Sequence, residues 1–237
     1  MDVSFLLPTN RAHTHSKVLE ECIRSINSIH TSISYEILVY SEEAVRGDNV
    51  TWVREKGATG PLKGFNFMAR EIAKGNYIAC VTDDHAFANP VSLCMDVVEG
   101  PIFQDRKYKV IGLNPDGPSL CKGVCPIPQK GDLLGDQVIS QHISPAFTLR
   151  FPVVRKDTLA THLSGHIFHP DLFYHAGDIW LGYFLHCKGE PTYEGPTHLK
   201  EIASLKDPSY EVKDCNVVHS LIKNHIAGCT DYLPSHY

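Results

Sequence analysis

Tyr77-Ile78-Ala79-Cys80-Val81-Thr82-Asp83-Asp84-His85 is the stretch on which the fold turns. Its first five residues are a short apolar run bounded by Gly75-Asn76, the pattern of a buried strand. Its last three crowd two carboxylates and an imidazole onto the strand's exit. Such groups resist desolvation and the carboxylates repel one another, so the arrangement calls for a compensating cation. Asp83 and His85 are two residues apart, and on an extended backbone they point the same way, which suits two ligands of one ion. The plainer alternative is an Asx-type turn closing the strand, with His85 on the surface.

Outward from this stretch, strands and helices alternate. Val3-Ser4-Phe5-Leu6-Leu7 reads as a first strand stopped by Pro8, and Val18, Cys22, Ile26 and Ile29 follow with helical spacing. Glu36-Ile37-Leu38-Val39-Tyr40 and Val50-Thr51-Trp52-Val53 read as the next strands. After a glycine- and proline-punctuated loop at residues 57–63, a helix is predicted over residues 65–73. This alternation predicts an α/β domain with a mainly parallel sheet covered on both faces. Downstream, residues 114–130 are rich in Pro, Gly and Cys and read as a long loop of the kind that covers a binding site. A strand is predicted at residues 146–151, a helix start at 157–160, a helix over 178–187, and helical spacing recurs at 216–225. The 237 residues suit one domain.

The net charge of −5 and pI near 6.3 argue against a broad nucleic-acid footprint. Residues 1–8 lack the basic start of a signal peptide, and no apolar stretch approaches a membrane span. Eight cysteines without dense spacing predict reduced thiols and a cytoplasmic setting. Cys121 and Cys125 have no second pair at matching spacing to complete a zinc site. His166 and His169 precede Pro170 and read as surface or packing residues. Pro8-Thr9-Asn10-Arg11 stands where a dinucleotide fold carries Gly-x-Gly-x-x-Gly, Gly60-Pro61-Leu62-Lys63-Gly64 is not a P-loop, and no Gly-x-Ser-x-Gly elbow occurs.

The order of the remaining signals is more specific than any one of them. It runs from a strand with Pro-Thr-Asn-Arg through a strand with an acidic exit and a Gly-Pro-Leu-Lys-Gly-Phe-Asn helix to the strand with Asp-Asp-His. Phe151-Pro152-Val153-Val154-Arg155-Lys156-Asp157, Phe168-His169-Pro170-Asp171-Leu172-Phe173 and His175-Ala176-Gly177-Asp178-Ile179-Trp180-Leu181-Gly182 follow. Over residues 3–198 this resembles the nucleotide-sugar glycosyltransferases of the GT-A fold, especially the family-2 group. The departures are specific. His85 replaces the usual Asp and gives the Asp-x-His form of the polypeptide N-acetylgalactosaminyltransferases, and Ser41-Glu42 replaces Asp-Asp. Gly177 stands where Glu is common, and Phe65 stands near the family's Arg, which leaves Lys63 as the nearest cation.

The resemblance implies a metal-dependent glycosyltransferase of hexosyl or N-acetylhexosaminyl type, using a nucleoside diphosphate sugar, UDP-linked by the family pattern. It implies a glycan, lipid-linked or protein acceptor. Residues 1–100 would form the nucleotide-sugar half and residues 101–237 the acceptor half. Asp83 and His85, with His198 added by the resemblance, would hold Mn²⁺ or Mg²⁺. Pro8, Thr9, Asn10, Glu42, Lys63 and Asp84 would contact the donor, and Asp178 would be the general base, although Asp at that point is also a good helix cap. A base at Asp178 implies inversion, whereas the Asp-x-His form implies retention. Two rivals remain open: a nucleotidyltransferase, for which Asn10-Arg11-Ala12-His13 is a weak phosphate loop, and a non-catalytic nucleotide- or glycan-binding module.

Overall fold

The computed structural model describes residues 1–12, 14–28, 33–57, 60–88, 109–115, 123–124, 149, 151–161, 163, 165–173, 177–188, 190 and 193–203. Four strands, β1 (Val3–Pro8), β2 (Tyr35–Ser41), β3 (Val50–Arg54) and β4 (Tyr77–Cys80), pair in parallel in the order β3-β2-β1-β4. The links are α1 (Ser16–Asn27) between β1 and β2, and α2 (Pro61–Phe67) between β3 and β4. A π-helical turn, Met68–Ile72, extends α2. The sheet then changes direction. β8 (Pro152–Arg155) runs antiparallel to β4 and to β6 (Val110–Pro115), and β9 (Tyr193–Glu201) lies parallel to β6. β5 (His85–Phe87) and β7 (Gly123–Val124) both pair antiparallel with β9.

Alternation along the strands sends side chains to two cores. Val3, Phe5 and Leu7 of β1, with Ile37 and Val39 of β2, pack under Leu19, Cys22, Ile23 and Ile26 of α1. Leu6, Leu38, Ile78 and Val154 face the other way, toward Leu62 and Phe65 of α2. Trp180, Leu181 and Leu185 join this second core from a helix we number α4 (Gly177–Cys187), and Leu159 joins it from α3 (Lys156–Thr161). At about 25 cal/mol per Å² of apolar surface, these two layers dominate the stabilisation.

The doubly covered, mainly parallel sheet expected from the sequence is present, and four details differ. α2 begins at Pro61, where a residue without an N–H is tolerated, rather than at residue 65. The antiparallel strand β8 starts at Pro152, one residue after the predicted strand ends. Residues 114–115 end β6 and residues 123–124 form β7, so the expected loop is partly strand. β9 was not expected, because its Gly195 and Pro196 interrupt any apolar alternation. The rest of 114–130, residues 146–148 and residues 216–225 lie outside the described residues. Among the described residues, no helix is long and apolar enough to cross a membrane.

Candidate active site at the C-terminal edge of the sheet

Parallel strands deliver their C-terminal ends to one edge, and open α/β sheets bind ligands there. β1 ends in Pro8, whose successor Thr9 is buried and donates its N–H to the Tyr40 carbonyl at 2.9 Å. The β1 ladder continues past β4, with Val81 N–H donating to the Leu6 carbonyl, so the exits of β1 and β4 lie side by side. Asp83 comes off β4 into this corner and is only 4% exposed. The Thr9 hydroxyl donates to its Oδ2, Arg11 Nε donates to Oδ2 at 3.2 Å, and Arg11 Nη2 donates to Oδ1. Thr9 also accepts the Arg11 N–H at 3.0 Å, which fixes the start of the arginine's reach. Asp83 therefore holds a forked, charge-assisted pair in a largely dry corner.

The next two residues form a second cluster. His85 N–H donates to the Thr82 carbonyl at 3.2 Å, so residues 82–85 turn rather than run extended. The expected same-side placement of Asp83 and His85 rested on an extended backbone and does not hold, and the turn reading is the correct one for the backbone. Asp84 Oδ1 lies 2.7 Å from His85 Nδ1 and accepts from the Thr82 hydroxyl at 2.7 Å, while Arg11 Nη2 is 3.8 Å from its Oδ2. Burial pushes Asp84 up, but the hydrogen bonds from His85 and Thr82 and the charges of His85 and Arg11 outweigh it and hold the carboxyl below its ordinary value. The His85 ring packs at 4.6 Å from that of Phe151. Beneath the corner, burial first and then the charges of Asp83 and Asp84 push the Cys22 thiol well up, which makes it an inert packing residue.

The segment before β8 reaches the same edge because β8 runs antiparallel to β4. Phe151 and Leu149 precede β8 and so lie at the β4 exit. Leu149 N–H donates to the Asp178 carbonyl at 3.3 Å, which ties the first turn of α4 to this corner. Asp178 is half-buried there. The neighbouring Gly177 is fixed by packing: a Cβ there would stand 2.6 Å from Phe168 Cδ1 and 3.0 Å from a Leu62 methyl. Gly64 has a similar constraint, since its Cβ would meet the Tyr40 ring at 2.8 Å, and this lets α2 settle onto the ends of β1 and β2.

The other predicted residues spread along the edge. Asn10 is exposed just after Thr9. Glu42 lines an open cleft of about 510 Å³ with Glu43, Arg54, Glu55, Lys56 and Gly57, at the exits of β2 and β3. Lys63 places its ammonium 3.8 Å from the Phe173 ring centroid. His198 lies in β9, whose register sets Leu199 opposite Phe87 and Glu201 opposite His85. His198 is thus three residues along from the level of His85, about 10 Å at strand rise. Its side chain lies outside what the structure describes.

Sequence reading missed two residues. Arg11 was read as part of a weak phosphate loop and not as the partner of Asp83. Asn66, quoted only as part of a helix motif, is buried and accepts the N–H groups of Ile167 and Phe168 at 2.8 and 2.9 Å while donating to the Phe168 carbonyl at 2.7 Å. It fastens α2 to residues 167–168. Both partnerships span long sequence separations, which local pattern does not encode.

Carboxylates with an imidazole are a donor set that Mn²⁺ and Mg²⁺ accept, and buried Asp83 already has a cation beside it. By ligand type the residues suit a divalent ion, but as placed both Asp83 oxygens accept from Arg11 and His85 Nδ1 lies against Asp84, so an ion would reach Asp83 only if Arg11 released it. Among the described residues, no three His, Cys, Asp or Glu side chains are grouped to hold an ion.

No protein-family model and no curated protein matches the chain. Solved structures do. S. aureus TarS 1–349 superposes with TM-score 0.61 at 17% identity, over 95% of this chain and 65% of that one. Mannosyltransferase PcManGT from Pyrobaculum calidifontis, in complex with GDP-Man and Mn²⁺, gives 0.58 at 14% identity, over 96% and 64%. GalNAc-T7 with UDP, GalNAc and Mn²⁺ gives 0.62 at 12% identity, over 95% and 48%. These neighbours are GT-A glycosyltransferases, and this chain has the GT-A fold. It spans about two thirds of the TarS 1–349 chain.

Proposed function

We propose that this chain moves a sugar, hexosyl or N-acetylhexosaminyl, from a nucleoside diphosphate donor, UDP-linked, to an acceptor hydroxyl on a glycan, lipid-linked or protein substrate. The observation that carries the reading is the convergence of Thr9, Arg11, Asp83, Asp84 and His85 at the β1–β4 exits, with the start of α4 tied to the same corner. Support also comes from the neighbours' ligands, since TarS 1–349 has been solved with UDP-GlcNAc and PcManGT with GDP-Man and Mn²⁺.

In this reading Pro8, Thr9, Asn10 and Glu42 border the nucleoside and Asp84 faces the ribose or sugar. Lys63 supplies a nearby positive charge. Asp83 and His85 hold a divalent ion, and His198 is assigned to it by family resemblance alone. An ion held there would supply Lewis-acid stabilisation to the departing diphosphate. Asp178 takes the proton of the acceptor hydroxyl as its oxygen attacks the anomeric carbon and the bond to the diphosphate oxygen breaks. With Asp178 as base, attack opposite the leaving group would invert the anomeric centre, whereas the Asp-x-His form points to retention, so the transfer assay must also read the product's anomeric configuration.

The test is a calorimetric binding screen of nucleoside diphosphate sugars with and without Mn²⁺, followed by transfer assays on the hits. Binding of at least one donor and release of its nucleoside diphosphate are expected. Donor binding with no turnover on any acceptor or water would make the chain a binding module. Pyrophosphate release from a nucleoside triphosphate would make it a nucleotidyltransferase.

A further inference from the structure

Asp83 has its negative charge satisfied before any ligand arrives. Both of its oxygens accept from Arg11, and the Thr9 hydroxyl takes a further position on Oδ2. A divalent ion directed to Asp83 must therefore compete with a guanidinium fork. Arg11 is not sealed in: its side chain is 25% exposed against 5% for that of Asp83, and its Nη2 also lies 3.8 Å from Asp84. The pair thus joins a buried carboxylate to a part-exposed cation.

Charge counting says what release of Arg11 would accomplish. Asp83, Asp84 and Arg11 alone, leaving aside His85 beside Asp84, carry about one net negative charge, which disfavours a diphosphate carrying about two more. With a divalent ion added and Arg11 retained, the same corner becomes about one charge positive and attracts it. Neither cation alone reverses the sign.

We infer that Arg11 is an exchangeable cation: it neutralises Asp83 in the ligand-free protein and moves from Asp83 to the donor's diphosphate when a divalent ion takes the carboxylate. The inference rests on the glycosyltransferase reading for the identity of the diphosphate, while the competition at Asp83 stands apart from it. Arg11 is then a donor-binding residue whose ligand-free position makes metal and diphosphate binding cooperative. The cost of releasing Arg11 weakens metal binding alone, and the diphosphate repays it.

The experiment titrates Mn²⁺ into nucleotide-free wild type, Arg11→Met and Arg11→Lys, reading free Mn²⁺ by electron paramagnetic resonance, with circular dichroism melts to check folding. UDP affinity at saturating Mn²⁺ is then measured by calorimetry. Arg11→Met is expected to bind Mn²⁺ at least about tenfold more tightly than wild type without nucleotide. It should also bind UDP at least about tenfold more weakly once Mn²⁺ is saturating. Arg11→Lys, which keeps the charge but not the fork, should fall between. In Arg11→Met/Asp83→Asn the gain in Mn²⁺ affinity should vanish. A folded Arg11→Met with unchanged or weaker Mn²⁺ binding overturns the inference, and so does unchanged UDP affinity. If Arg11→Met is poorly folded, the Arg11→Lys comparison decides by the same criteria. If the Mn²⁺ results hold but no nucleoside diphosphate or its sugar binds, the functional reading fails while the competition at Asp83 stands.

Discussion

Asp178 is the residue whose role most separates an enzyme from a binding module. A base acts on the acceptor, so Asp178→Asn should leave donor affinity unchanged in calorimetry while transfer falls by about two to four powers of ten. Asn caps a helix about as well as Asp, so a purely structural Asp178 would survive the change at full rate. The placement of Thr9, Asp83 and Asp84 at strand exits was legible in the sequence. Their partner Arg11 was not, since nothing in Pro8-Thr9-Asn10-Arg11 states that its guanidinium bonds a carboxylate 72 residues away. The pairing of His85 was missed for a different reason. An alternating strand pattern was extended through three polar residues that instead turn on the Thr82 carbonyl.

Among the elements, α2 does most to position the site. Gly64 lets it approach Tyr40 and Pro8, and Asn66 clips residues 167–168 to it through three hydrogen bonds. Asn66→Ala leaves two buried N–H groups and a carbonyl without this partner, and should destabilise the fold by about 2–4 kcal/mol, seen as a lowered Tm. If the proposed donor and acceptor sides are right, the clip joins them, and transfer should fall more than donor binding. Equal losses in both would make Asn66 a stability residue only. Strands β1 to β4 were readable from β-branched and aromatic runs bounded by turn residues. β9 was not, because its stability comes from pairing with β6, β7 and β5 rather than from its own composition.

At the scale of the whole molecule, the sheet interleaves the two sequence halves. β4 of the first half is covered on one side by β8 of the second, and β5 is paired with β9. The two sequence halves therefore share one sheet. Calorimetry should show one transition whose van't Hoff and calorimetric enthalpies agree, and a fragment of residues 1–100 should show no cooperative melt. Two separated transitions would argue for independently folding halves.

The contact between Gly177 and Phe168 also limits the routes open to mutation. A glutamate at this point, the residue the resembling family often carries, would need Phe168 to shift, because its Cβ would stand 2.6 Å from that buried ring. A smaller residue at 168 would remove the clash but loosen the core. Packing thus couples the two positions. Directed evolution that samples one codon at a time should leave position 177 as glycine, whereas libraries that vary 168 and 177 together should recover pairs that single steps never reach.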